Sequence, residues 1–288
     1  MTRSTGTLAT TSRNAHLVRF EGVRLGSRRA PLLADLTLAI HPGQFWCFLT
    51  APGPLRRALV RTLLGIARWR GGITEWNRSF STPSAATARI GFVPGTWSIP
   101  AGLSTTVREF VSLGLIGIRR GGASEAQRIG WALEQLGFAD RERSDVTLLS
   151  ACERVSVLVA RALARRPRLL VVEEPTSPLD REKLDMLLEA LTRLEHNERL
   201  TIAWFTTDIE VPRRYATHVA LPAEGKLRIA RQDENDFETV LEAARISSAC
   251  TAPLQPAPEI AAPPLAPEAE SEDRNTGARP NRWWRKRA

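Results

Sequence analysis

The sequence predicts an α/β fold built on a parallel central sheet. Three observations carry that expectation. Short and almost wholly apolar runs, GQFWCFLT, RLLVVEEP and LTIAWFTTD, have the composition of strands buried on both faces. Between such runs lie segments of helical periodicity, among them KLDMLLEALTRLE. The two kinds alternate as far as about Arg245, and strands separated by helices pack as parallel sheets.

Taken in order, LLADLTLAI alternates apolar and polar residues like a half-buried strand, and GQFWCFLT follows as a buried one. A helix is expected from about Leu55, because Leu55, Leu59 and Leu63 fall in one row four residues apart. ARIGFVP is a further short strand. Thr106 with Glu109 precedes FVSLGL, and Ser124 with Gln127 precedes IGWALEQLG; both pairs have the spacing of a capping box. Gly137 suits the C-terminal end of the second of these helices. HVALPAEGKLRIA reads as a strand pair turning at Gly225. After Arg245 the chain becomes Pro- and Ala-rich, then acidic (SSACTAPLQPAPEIAAPPLAPEAESEDRNTG), and ends in RPNRWWRKRA. Such a segment buries too little apolar surface to offset the entropy of ordering. The expected organisation is a flexible stretch over 1–15, a folded body over 16–245 and a disordered tail over 246–288.

Composition sets outer bounds on function. No apolar run approaches the roughly 18 residues of a membrane span. The N-terminus is polar and lacks a signal-peptide core, so a cytoplasmic protein is expected. Cys47, Cys152 and Cys250 are odd in number and far apart, which suggests neither a disulfide framework nor a zinc site. The formal charge of +9 permits anionic lipid, nucleic acid or an acidic partner without choosing among them.

Two stretches carry chemistry. CFLTAPGPLRRALVRTLLGI has the layout of a phosphate-binding loop, with an apolar strand, a turn and a helix. The loop pattern is G-x-x-x-x-G-K-[ST]; here the same frame holds Thr50, then Leu55, Arg56 and Arg57. The second stretch, LLSACERVSVLVARALARRPRLLVVEEPTSPLD, runs from Leu148 to Asp180. It is similar to the signature-to-Walker-B block of ABC-type ATPases, the nucleotide-binding subunits of ABC transporters, which reads roughly LSGGQ, a helix ending in ARAL, four apolar residues and DEPTSALD. Other landmarks of that family follow in order. HPGQFWCFL resembles the strand into the phosphate loop, IGFVPG the segment ending in the Q-loop glutamine, TVREFVSLGL the start of the helical subdomain, and TIAWFTTD the strand ending in the switch histidine. The resemblance spans about Leu17 to Arg245, and its spacing is most similar to subunits of metal or metal-chelate importers.

The resemblance implies a P-loop NTPase-type parallel sheet core, an N-terminal antiparallel β part and a helical subdomain inserted at about 96–149. It implies ATP and Mg²⁺ as cofactors. It also implies a membrane permease subunit as partner, together with a second ATPase subunit or a second copy of the chain, on the cytoplasmic face of the inner membrane. Carried over residue by residue, it gives Glu174 as the catalytic glutamate that polarises the attacking water, and Glu173 at the place of the metal-binding Asp, one methylene longer. Gly53 is the one retained loop glycine. Arg56 stands for the phosphate-binding Lys with a bulkier, planar fork. Arg57 stands for the Mg²⁺-binding hydroxyl residue and cannot ligate a cation. Gly95 replaces the Q-loop Gln, Thr207 the switch His, and Leu25 lies near an adenine-stacking aromatic. Ser150 remains from the signature motif, followed by Ala151, Cys152 and Glu153. Ser150 and Glu153 also form a capping box, which stabilises a helix without any ligand, and that plain reading is preferred. Ser177 to Asp180 match the dimer-contacting D-loop.

Phosphate grip, metal ligand, water positioning and γ-phosphate sensing are all altered, and groups that act as a unit fail together. The expectation is a pseudo-ATPase scaffold or regulator of transport, with ATP binding and hydrolysis weak or absent. The loop is expected to persist as a packed turn and helix, with Arg56 and Arg57 both solvated. One alternative is a divergent active ATPase that uses Arg56 and Glu174. Another is a tail whose Trp283, Trp284 and flanking cations contact anionic lipid, with nucleic acid the disfavoured partner.

Overall fold

A computed structural model describes residues 16–27, 29, 31–67, 71–77, 89–95, 104–118, 123–173 and 181–250, with side chains as far as residue 246. Its strands are β1 (Val18–Gly26), β2 (Pro31–Ile40), β3 (Phe45–Leu49), β4 (Ile73–Trp76), β5 (Ile90–Val93), β6 (Leu169–Glu173), β7 (Thr201–Thr206), β8 (His218–Ala223) and β9 (Lys226–Arg231). Its helices are α1 (Pro54–Leu63), α2 (Val107–Ser112), α3 (Glu125–Gln135), α4 (Ala151–Leu163), α5 (Arg181–Glu198), α6 (Glu210–Tyr215) and α7 (Phe237–Cys250).

The strands form one sheet in the order β4-β1-β2-β9-β8-β3-β7-β6-β5. β8, β3, β7, β6 and β5 run parallel, as their apolar composition requires, and β3 and β7 are buried at every position. β1 pairs antiparallel with β2 and with β4. This is the mixed α/β fold with a parallel core and antiparallel N-terminal strands that the resemblance implied. β8 and β9 are antiparallel, joined by Glu224 and Gly225, which both adopt positive φ (51° and 75°). Two such residues give a turn whose twist matches that of the strands.

Apolar cores cover both faces of the sheet. One joins Val172 and Trp204 to α2, α3, α4 and α5 through Val111, Leu133, Leu158 and Leu188. The other joins Phe48 and Phe205 to α1 and the antiparallel strands through Leu59, Leu63, Phe20 and Leu36. Phe48 and Phe205 stack with centroids 4.7 Å apart, so the two central strands are tied by side chains as well as by the ladder.

Both expected capping boxes form, at Thr106/Glu109 and at Ser124/Gln127. α3 ends as expected: Gly137 takes a φ of 71°, its N–H donates to the Glu134 carbonyl and that of Phe138 to the Leu133 carbonyl. Three arginines at the end of α4 and just after it fasten it to the α2 region and to α3. Arg161 lies over the Phe110 ring, Arg165 donates to the carbonyls of Gly114 and Ile116, and Arg166 lies 3.3 Å from the Trp131 centroid. A Cβ at Gly114 would sit 2.0 Å from the Arg161 carbonyl, so only glycine permits this approach.

One boundary differs. α7 runs to Cys250, past the change of composition after Arg245. Phe237, Val240, Leu241 and Ala244 are spaced for one helical face and bury it against Leu49 and Leu221. A helix propagates past the last residue that packs, whereas composition registers only the onset of the Pro-rich stretch. Residues 1–15 and 251–288 lie outside the described residues.

Candidate functional site

The carboxyl ends of the parallel strands lie along one edge. β3 ends at Leu49 beside Thr206 of β7, β6 ends at Glu173 beside Phe205, and β5 ends at Val93 beside Val172. Thr50, Thr207, Glu173 and Gly95 therefore follow one another along that edge, where open parallel sheets place their ligand sites. Thr207 is exposed and Glu173 half-buried. Glu174 and Ser177 to Asp180 lie outside the described residues.

The loop after β3 is held at its base, where the Thr50 N–H donates to the Thr206 carbonyl at 3.1 Å. Ala51, Pro52 and Gly53 turn the chain, and Pro54 opens α1, a position where its missing N–H costs nothing. Gly53 offers no side-chain cap. The Arg57 N–H donates to the Gly53 carbonyl at 3.1 Å, and its side chain is exposed.

Arg56 behaves differently, and here the expectation of two solvated arginines fails. Arg56 is 2% exposed and Thr50 6%. The guanidinium folds back beneath the loop: Nη2 donates to the Thr50 carbonyl, and Nε donates to Thr50 Oγ1 at 3.3 Å. The cause is helical phase. The buried positions of α1 include Arg56, Leu59, Val60 and Leu63, one stripe at 3.6-residue spacing, and Arg56 opens it. Leu55 falls beside the stripe and is half-buried.

Beyond the end of β5, a Cβ on Gly95 would come 2.6 Å from the Glu173 carbonyl. No side chain fits there without moving backbone. Leu25, at the place of an adenine-stacking aromatic, is buried among the N-terminal strands.

Ser150 belongs to a different setting. It caps α4: its Oγ accepts from the Glu153 N–H at 3.3 Å, and its own N–H donates to Glu153 Oε2 at 2.8 Å. Arg141 pairs with the other Glu153 oxygen. These contacts, the Ser150 N–H foremost, hold the Glu153 carboxyl below its ordinary pKa. Ser150 lines a groove of about 520 Å³ with Phe138, Arg141, Cys152, Lys183 and Met186. Thr50, Gly53, Arg56 and Glu173 are not part of its lining. The structure thus gathers Gly53, Arg56, Arg57, Gly95 and Glu173 along one edge and sets Ser150 in a separate groove.

A cleft of about 730 Å³ that sequence reasoning missed is lined by His41, Gln44, Trp46, His218 and Arg231, at the other ends of β3 and β8. Gln44 Oε1 accepts from the His41 N–H at 2.7 Å and from Trp46 Nε1 at 2.8 Å, and its amide nitrogen lies 3.3 Å from His218 Nε2. Trp46 and His218 stack at 4.5 Å. Burial, then the Arg231 charge, pushes His218 down to about 4, so the imidazole is neutral at pH 7. These groups satisfy one another and fix the strand starts. The only signal in the sequence was polar residues just before a buried strand.

A strand–turn–helix at the carboxyl edge of a parallel sheet, flanked by antiparallel N-terminal strands, defines a nucleotide-binding domain of the P-loop type. The chain belongs to the ABC transporter family, whose pattern residues 33–177 match. It is 31% identical over 189 residues to the zinc import ATP-binding protein ZnuC of Paracoccus denitrificans (strain Pd 1222), covering 66% of this chain and 68% of that protein. It is 28% identical over 208 residues to the methionine import ATP-binding protein MetN 1 of Yersinia pestis bv. Antiqua (strain Antiqua), covering 70% of this chain and 60% of that protein. Its fold is similar to that of a nucleotide-free ATP-binding cassette from an ABC transporter, with a TM-score of 0.69, 14% identity, and 82% and 99% of the two chains covered. The family implies ATP and Mg²⁺ as ligands.

Proposed function

We propose that this chain is a nucleotide-binding subunit of a membrane transport complex that serves as a pseudo-ATPase, a scaffold or regulator with little grip on nucleotide. The observation that carries this reading is the fate of Arg56. The cation at the phosphate-binding position is buried against Thr50 and serves its own loop. In this arrangement the residues do not fit ATP and Mg²⁺: the loop cation is engaged, Arg57 offers no oxygen ligand, and the Gly95 position has no room for a side chain. Glu173 as metal ligand, Glu174 as catalytic base and Gly53 and Ser150 as phosphate contacts belong to the ancestral site under this reading.

The partners under this reading are a permease subunit and a second ATPase subunit or a second copy. The position is peripheral, on the cytoplasmic face of the inner membrane. Among the described residues no helix is long and apolar enough to cross a membrane. The names of the zinc and methionine relatives favour import as the direction and leave the cargo open. Titration calorimetry of the whole chain with Mg-ATP tests the proposal: no binding in the micromolar range is expected, and micromolar affinity would sink it.

A second reading, a divergent ATPase that energises import, is favoured by the two adjacent carboxylates Glu173 and Glu174. It requires turnover that disappears in Glu174→Gln. The basic tail is proposed to add contact with anionic lipid. Co-sedimentation with phosphatidylserine-containing liposomes should weaken when residues 282–288 are removed, and unchanged binding would refute it.

A further inference from the structure

We propose that Arg56 is a built-in latch that keeps the loop after β3 closed with no ligand present. The inference rests on the reading that residues 50–57 hold the phosphate-loop position, and it adds how that loop stays ordered. A turn that carries several unpaired N–H groups at a helix start is ordinarily tied down by a capping side chain or by an anion. Here Gly53 provides no side-chain cap, and α1 has no acidic residue in its first turn. The tie comes from the opposite chemistry, a cation binding the acceptors at the loop base.

The guanidinium spans the loop from within. Its stem leaves α1 on the buried stripe with Leu59, Val60 and Leu63, and its head reaches both acceptors of Thr50, the first residue after β3. Thr50 is itself tied to β7 through the Thr206 carbonyl. One side chain thus connects the strand end, the neighbouring strand and the first turn of the helix. A planar fork suits this because it presents two donors at fixed spacing, whereas the three donors of a lysine radiate from a single atom on a flexible stem. A guanidinium this buried is strongly held, because leaving it or Thr50 unpaired exposes no compensating water.

Hydrogen exchange measured by mass spectrometry on the whole chain tests the latch. Without ligand, the wild-type amides of Thr50 and Arg57, which donate to the Thr206 and Gly53 carbonyls, should exchange about as slowly as the flanking end of β3. In Arg56→Met, which keeps the apolar stem, these two amides should exchange roughly tenfold faster or more, the scale expected on losing a buried clasp, a larger increase than in the core of β7. Arg56→Lys should fall between the two. Fast exchange in the ligand-free wild type would overturn the proposal even if Arg56→Met did not fold, and so would unchanged exchange in a folded Arg56→Met. Tight Mg-ATP binding combined with slow ligand-free exchange would instead refute the pseudo-ATPase reading and leave the latch standing.

Discussion

Two helix starts in this molecule hold the residues proposed above as ancestral phosphate contacts, and each is closed by the chain's own groups in a different way. At α4, Ser150 and Glu153 exchange hydrogen bonds across one helical turn, and Arg141 completes the carboxylate. The contacts are local and solvent-facing. At α1 the closing group is a buried cation that reaches back across the loop to the end of a strand. The first device stabilises one helix. The second connects a helix, a loop and a sheet, so its loss should propagate further.

The largest effect should therefore come from Arg56→Ala, which leaves the Thr50 carbonyl without its buried donor. A loss of about 2–3 kcal/mol is expected by urea unfolding; a loss as small as that at the α4 cap would erase the contrast. Next is Gly95→Gln, which restores the family residue where a Cβ meets the Glu173 carbonyl at 2.6 Å. It should cost about 1–3 kcal/mol and gain no Mg-ATP binding; a stable, nucleotide-binding variant would show that the edge is open.

Ser150→Ala and Glu153→Ala should each cost about 1 kcal/mol, and the double variant less than their sum, because each breaks one reciprocal cap. The pH dependence has a definite sign. Glu153 is depressed in the folded state, so its contribution is complete above the unfolded carboxyl pKa of about 4.3 and is lost as pH falls through the lower folded value. Thermal melts of wild type and Glu153→Gln should differ at pH 7 and converge in acid. The smallest effect should be Arg57→Ala, within about 0.5 kcal/mol, because that side chain is exposed. A large loss there would mean that both arginines hold the loop.

The same contrast explains what could be read in advance. The α4 cap was legible because a capping box is a relation between residues three apart, and the boxes at Thr106 and Ser124 were visible for the same reason. The apolar runs of β3, β6 and β7 announced a parallel core because burial on both faces leaves no polar positions. The burial of Arg56 was available only as a phase: it falls on the stripe of Leu59 and Leu63, but the charge argued for solvent. The polar knot of Gln44, Trp46 and His218 joins residues more than 170 positions apart, and no local pattern marks it.

The sequence by itself determined the buried strands β3, β5, β6 and β7 with helices between them, and the family, because these depend on periodicity and on neighbours along the chain. Only the tertiary structure decided which candidate site groups meet. It brought Gly95 against the Glu173 backbone, carried Ser150 into the groove between α3 and α5, and turned Arg56 onto Thr50. The physical reason is that burial and pairing of a charge depend on acceptors supplied by other elements. Those acceptors come within reach only when β3, β7 and α1 pack together.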